Sequence, residues 1–153
     1  MNGLKLVWRI LAFMILGVVL FAGFTPDEGE KLLGDYVYKA ITTDRTANMQ
    51  LGLFTNASPG ETLVLASVTE PTGTGYAKKT LTDATWNVSA DTTTYPQQTF
   101  TGGAGGWTGS IQGYFINTNG ATQRLLHIEV DGNGPYTINE NDTYDIDLSN
   151  VIA

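Results

Sequence analysis

The sequence predicts a mainly β protein: a β-sandwich of jelly-roll type, preceded by an apolar N-terminal helix and a second, capped helix. Three observations carry that expectation. From Asn48 onward, short runs rich in Thr, Tyr, Val, Ile and Phe alternate with clusters of Gly, Asn, Asp and Pro, as strands alternate with turns. The chain holds 18 glycines and only 15% charged residues, a composition that suits a turn-rich sheet protein better than a helical bundle. Finally, Thr25-Pro26-Asp27-Glu28 is a helix start placed directly after a long apolar run. The expected organisation is therefore an apolar helix or anchor over residues 1–24, an amphipathic helix and linker over 25–45, and a β-sandwich domain over 46–153.

The apolar run comes first in the chain. Between Ile10 and Phe24 no side chain is charged, and Lys5 and Arg9 interrupt the extension towards Leu4. As a membrane span it is short of the roughly 20 residues that a bilayer core of about 30 Å requires, unless Arg9 snorkels to the headgroups. As a secretory signal it has a basic start, but Phe21-Ala22-Gly23-Phe24 is a poor small-residue cleavage site. The third reading is a helix buried against a neighbouring subunit, because a helix apolar on all sides must bury its surface in something. This last reading makes Trp8, Ile10, Leu11, Phe13, Leu16, Val19 and Phe21 the expected partner contacts. Membrane contact through residues 4–24 stays open.

At Thr25 the backbone signals change. Thr25 suits the N-cap, Pro26 the first helical position, and Asp27 and Glu28 the positive end of the helix dipole, with Glu28 completing a capping box. Leu32, Leu33, Tyr36, Val37, Ala40 and Ile41 then recur at helical spacing to about Ile41, giving one apolar face. Leu32, Leu33 and Tyr36 join the expected contacts, and the face is read as a cover for the sheets and not as a cofactor box.

Strands are expected near 48–55, 76–82, 85–90, 94–101, 107–117, 122–131 and 143–152. Within the long connection after the first of them, Thr62 to Val68 is apolar enough to pack as a flap over the sheet. Leu126, Ile128 and Val130 are expected on one face and Leu125, His127, Glu129 and Asp131 on the other; Tyr144, Ile146 and Leu148 alternate with Asp145 and Asp147 in the same way. Gly102 to Gly106 precede a strand and lack a phosphate-binding lysine, so they read as a flexible hairpin tip and not as a nucleotide loop.

Several of these pieces occur together in an order that resembles a family of small structural proteins encoded by tailed bacteriophages. They are Leu53-Phe54-Thr55-Asn56, the Thr69-Glu70-Pro71 segment, Gly75 to Thr82 followed by Trp86, Thr94 to Thr101, Gly113 to Ile116, and Gly134 to Ile146. Pro26, Gly29, Glu30, Leu32 and Leu33 match the family's opening segment. The resemblance spans residues 25–150 and leaves the first 24 as an addition. It implies a β-rich virion component without saying which.

Charge and chemistry are consistent with a structural role. Net charge is −7, and residues 51–153 carry all of it, which disfavours nucleic acid as a partner. There is no cysteine, so neither disulfides nor thiolate metal sites arise. His127 is the only histidine and has no nucleophile at strand spacing, so its pairing with Glu129 reads as an ordinary sheet contact. Asp131-Gly132-Asn133 with Asp142 faintly resembles a calcium loop, but Tyr136 stands where glycine is needed. Trp107, Tyr95 and Tyr114 are able to stack on sugars; the favoured reading packs them across strands.

The expectation is thus a non-enzymatic virion protein with no catalytic residue, cofactor or metal. It is read as a capsid cement or decoration protein contacting the major capsid protein or other virion subunits, and as a homo-oligomer, dimer or trimer, because so apolar a segment needs covering. A tail, neck or fibre component, and a membrane-anchored surface or carbohydrate-binding protein, are the alternatives.

Overall fold

The computed structural model describes residues 23–31, 48–89 and 92–151. Among the described residues eight strands occur in chain order: β1 (Gly23–Phe24), β2 (Asn48–Phe54), β3 (Lys79–Thr82), β4 (Asn87–Ser89), β5 (Thr92–Thr101), β6 (Gly113–Thr118), β7 (Leu125–Val130) and β8 (Thr143–Val151). They form a five-stranded sheet in the order β1-β7-β6-β2-β3 and a three-stranded sheet in the order β4-β5-β8. Every strand pairing among the described residues is antiparallel. All seven strands expected after residue 46 are present. An eighth, β1, occupies the last two residues of the expected N-terminal helix, so that boundary moves: Gly23 and Phe24 pair with Glu129 and Ile128 of β7.

The two sheets share one core. Leu51, Leu53, Leu81 and Ile116 come from the larger sheet, and Phe100, Tyr144, Ile146 and Leu148 from the smaller. The strict alternation of β8 explains its part: Tyr144, Ile146 and Leu148 are buried while Asp145 and Asp147 are exposed, as a period of two requires when one face is wet. Tyr76 joins this core and also closes off β2. Its hydroxyl accepts the Leu53 N–H at 3.1 Å and donates to the Glu70 carboxylate at 2.6 Å. The β2–β3 ladder runs only from Asn48 to Leu51 on the β2 side, so this phenol satisfies a backbone group that would otherwise lack a partner.

The opposite face of the five-stranded sheet is built differently. Phe54, Phe115, Leu125 and Ile128 form a second cluster, against which Leu63, Leu65 and Val68 pack. The apolar flap expected between Thr62 and Val68 is therefore in place. Gly52 makes room for the ring of Phe115 in this cluster: a Cβ there would lie 2.5 Å from it. A helical turn at 27–31 lies alongside, with Pro26 buried. Its beginning agrees with the sequence, whereas its capping does not. The Gly29 and Glu30 N–H groups both donate to the Pro26 carbonyl. The Glu28 carboxylate, instead of turning back to Thr25, accepts the N–H groups of Leu65 at 3.1 Å and Leu125 at 3.0 Å and lies 3.4 Å from the Arg124 guanidinium. One side chain thus ties the helical turn to the flap and to β7. The rest of the expected helix, including Leu32, Leu33 and Tyr36, lies outside the described residues.

Two further expectations are corrected. In β7 the register slips between Ile116 and Asn117: Ile116 faces His127, but Asn117 faces Leu125. Leu126 is the additional residue of a β-bulge. Leu125 and Ile128 consequently share the flap face, Leu126 packs against the core between the sheets, and Val130 is 37% exposed. The glycines at 102–106 are not a flexible tip. The Gly103 N–H donates to Thr74, Gly102 exchanges bonds with Asp142 and Asn141, and the Trp107 N–H donates to Ile138. Gly106 has φ 69°, and a Cβ there would meet the Ile138 carbonyl at 2.6 Å, so close packing and a left-handed backbone both select glycine.

Candidate functional site: an acidic groove between the sheets

Across the five-stranded sheet the face turned to the shared core changes character. On β2 and β3 it is Leu51, Leu53 and Leu81; on β6 and β7 it becomes Tyr114, His127 and Glu129, as the register Leu51–Ile116–His127 and Leu53–Tyr114–Glu129 dictates. β8 lies over this polar end. A groove of about 320 Å³ opens between them, lined by Tyr114 on β6, Glu129 and Val130 on β7, the turn Asp131 to Asn133, and Tyr144 to Asp147 on β8. That volume is at the small end of the range for ligand pockets.

Two phenol–carboxylate pairs organise the groove. The Tyr114 hydroxyl donates to Glu129 Oε2 at 2.7 Å, and the Tyr144 hydroxyl donates to Asp131 Oδ2 at 2.8 Å. Burial, reinforced by these carboxylates, pushes both phenols well above the ordinary tyrosine range, so both stay protonated donors. Glu129 moves the other way. The His127 imidazole, with Nε2 3.6 Å from Oε2, and then the Tyr114 hydroxyl hold its carboxyl below the usual glutamate value, because both favour the charged form. Asp145 and Asp147 stand on the outer side of β8, taking hydrogen bonds from Thr99 and Gln97. The groove is therefore a set of oriented anions with neutral donors fixed between them, suited to holding cationic or hydrogen-bonding groups.

The residues considered for chemistry are placed as follows. His127 meets Glu129 and stacks at a tilt beside Tyr114, with ring centroids 6.1 Å apart. The two carboxylates of the calcium-like stretch serve separate turns. Asp131 caps Asn133 and binds Tyr144, while Asp142 accepts the backbone and side-chain N–H groups of Asn139. These backbone and side-chain bonds hold the Asp142 carboxyl low. Among the described residues no group of three or more His, Asp or Glu side chains is arranged to hold a metal ion. Trp107 is buried, its indole N–H donating to Thr74 at 3.1 Å. Tyr95 leans on Trp86 with centroids 4.9 Å apart, and its hydroxyl accepts the Thr82 N–H. These aromatics are packing residues, and only Tyr114 borders the groove.

The expected partner contacts Trp8, Ile10, Leu11, Phe13, Leu16, Val19 and Phe21 all precede the described residues. Among the described residues no helix is long and apolar enough to cross a membrane. The groove itself was not read from the sequence. Its acids were visible as a crowd in the last third of the chain, but the two tyrosines that organise them come from β6 and β8, and no local spacing announces the pairing.

The fold and the groove define a mainly β protein of two antiparallel sheets with an acid-lined opening at one side of their shared core. No family model, curated protein or solved structure matches the chain.

Proposed function

We propose that this chain is a non-enzymatic structural protein of a tailed-phage virion, a cement or decoration protein whose two sheets form a jelly-roll-like sandwich. Its N-terminal segment binds the major capsid protein or a neighbouring virion subunit. The observation that carries the reading is a division of labour. The β body buries its own aromatics in its own two cores, whereas residues 10–22 carry an uncharged apolar surface that needs a second molecule to cover it. At about 25 cal/mol per Å², burial of that surface is the strongest source of binding energy in the sequence.

Mass spectrometry of purified particles of a phage encoding the chain provides the test. Recovery at a copy number matching the capsid lattice supports a cement protein, and a few copies per particle would move it to the tail, neck or fibre. Absence from particles, together with flotation of the full chain on liposomes in detergent-free buffer, would replace the reading with a membrane-anchored surface protein.

A further inference from the structure

His127 takes part in two spaces between the sheets. Its Nε2 lies 3.6 Å from Oε2 of Glu129, a residue of the acidic groove wall. The same side chain also lines a second, much smaller cavity of about 10 Å³, bounded by Trp86, Tyr114, Ile116, Leu148 and Ser149. That volume is about the least that holds one water molecule.

The contact with Glu129 leaves a question about the imidazole. An ionised carboxylate only accepts, so a favourable contact needs the proton on Nε2. At 3.6 Å the contact is longer than a hydrogen bond and does not by itself fix that tautomer. In a neutral imidazole the partner at one nitrogen decides where the proton sits on the other, so a donor to Nδ1 would hold the proton on Nε2. The wall of the small cavity carries the opposite need. The Trp86 indole Nε1 is shielded from solvent and bonds to no protein atom, although a buried N–H without an acceptor is rare and costly. A donor and an acceptor on the walls of one water-sized cavity are joined by a molecule that accepts from the first and donates to the second.

We infer that a single water molecule binds between Trp86 and His127, accepting the indole N–H and donating to Nδ1, and that it makes His127 a positioning residue for Glu129. Ser149, on the wall of the same cavity, completes the two to four polar partners that a buried water requires. With Nδ1 held as an acceptor, the imidazole turns its proton to Glu129. Oε2 of that carboxylate then lies between two donors, the imidazole and the Tyr114 hydroxyl at 2.7 Å. An ordered row runs from Trp86 through the water, His127 and Glu129 to Tyr114, and links the small cavity to the groove. Such a network orders its surroundings when every member is satisfied. The inference concerns the groove and does not rest on the virion reading.

NMR on the full chain, labelled with 15N and kept in a mild detergent, tests it. His127 is the only histidine, so both ring nitrogens are read without ambiguity, and the Trp86 indole is assigned through its own backbone amide. At about pH 8, above the ordinary histidine range, the wild type is expected to hold the Nε2–H tautomer. The Trp86 indole proton is expected to show a dipolar cross-peak to bound water. Trp86→Phe removes the donor and keeps an aromatic ring, and it is expected to shift the tautomer ratio at least about threefold towards Nδ1–H, the loss of roughly one hydrogen bond. Trp107→Phe deletes an indole whose N–H donates to Thr74 and which does not line the cavity. It is expected to leave the ratio unchanged, which separates loss of the water from a general loosening of the core. A Trp86 indole proton without contact to water, or a wild type in the Nδ1–H tautomer, would overturn the inference, and both are read without any variant. A ratio in Trp86→Phe equal to the wild type, or matched by Trp107→Phe, would overturn it as well.

Discussion

The two faces of the five-stranded sheet are covered by different means. On one face the cover is another sheet, and the contact follows from alternation alone: Leu51 and Leu53 meet Phe100, Ile146 and Leu148 because strands facing one another present every second residue. On the other face the cover is irregular chain, the flap and the helical turn, which has no periodicity to fix it. There the protein uses an oversized ring, Phe115, in a space cleared by Gly52, and a single carboxylate, Glu28, that accepts from two separate segments. Regular structure positions its own cover, whereas irregular chain has to be fastened by specific polar contacts.

Breaking each kind of contact separates the two. The largest effect is expected from Phe115→Ala, which empties the centre of the flap face; a loss of about 3–5 kcal/mol in urea unfolding is the usual cost of such a truncation. Hydrogen exchange should show the amides of the flap, at Leu63 to Val68, opening first, while β5 and β8 keep their protection. Equal loss of protection on both faces would mean that the faces are not independent. Glu28→Ala comes next, at about 1–3 kcal/mol, because it strands the Leu65 and Leu125 N–H groups without an acceptor. Glu28→Gln, whose amide oxygen can still accept, should recover part of that loss; if it does not, the charge facing Arg124 matters more than the two backbone bonds.

The smallest effect is a difference in pH response. Tyr76, Tyr114 and Tyr144 belong to the core face or its groove, and burial first, then carboxylate partners, raises all three above the ordinary value. A raised pKa means that the unfolded chain loses its phenolic protons first. The contribution is thus complete below the unfolded value of about 10 and is lost as pH rises above it towards the folded values. The apolar cluster of the flap face contains no tyrosine. Tyr114→Phe should therefore flatten the fall in thermal midpoint above about pH 10, whereas Phe115→Ala should lower the midpoint at every pH without changing that slope. An unchanged slope in Tyr114→Phe would remove this phenol from the account.

The same division explains how much could be read in advance. Strands β2 to β8, the flap and the inward row Tyr144, Ile146 and Leu148 were legible because alternation and turn residues are local signals. The bulge at Leu126 was not, because it exists only as a mismatch between β6 and β7 and leaves no mark in either strand alone. Glu28 looked like a capping-box residue because Thr25 stands three residues before it in sequence, but its actual backbone partners are Leu65 and Leu125. The groove failed to appear for the same reason. Its anions are concentrated between Glu129 and Asp147, but what turns them into a site is their bonding to Tyr114 and Tyr144, set by how one sheet lies over the other.

Glu28 has one more consequence, and it is mechanical. Any pull on the chain ahead of Gly23 is transmitted first to the β1–β7 ladder and then, four residues past Phe24, to a carboxylate gripping both the flap and β7. The chain at Gly23 is therefore fastened to one edge of the larger sheet at two successive points, and a pull there is shared between β7 and the flap instead of peeling the first turn away.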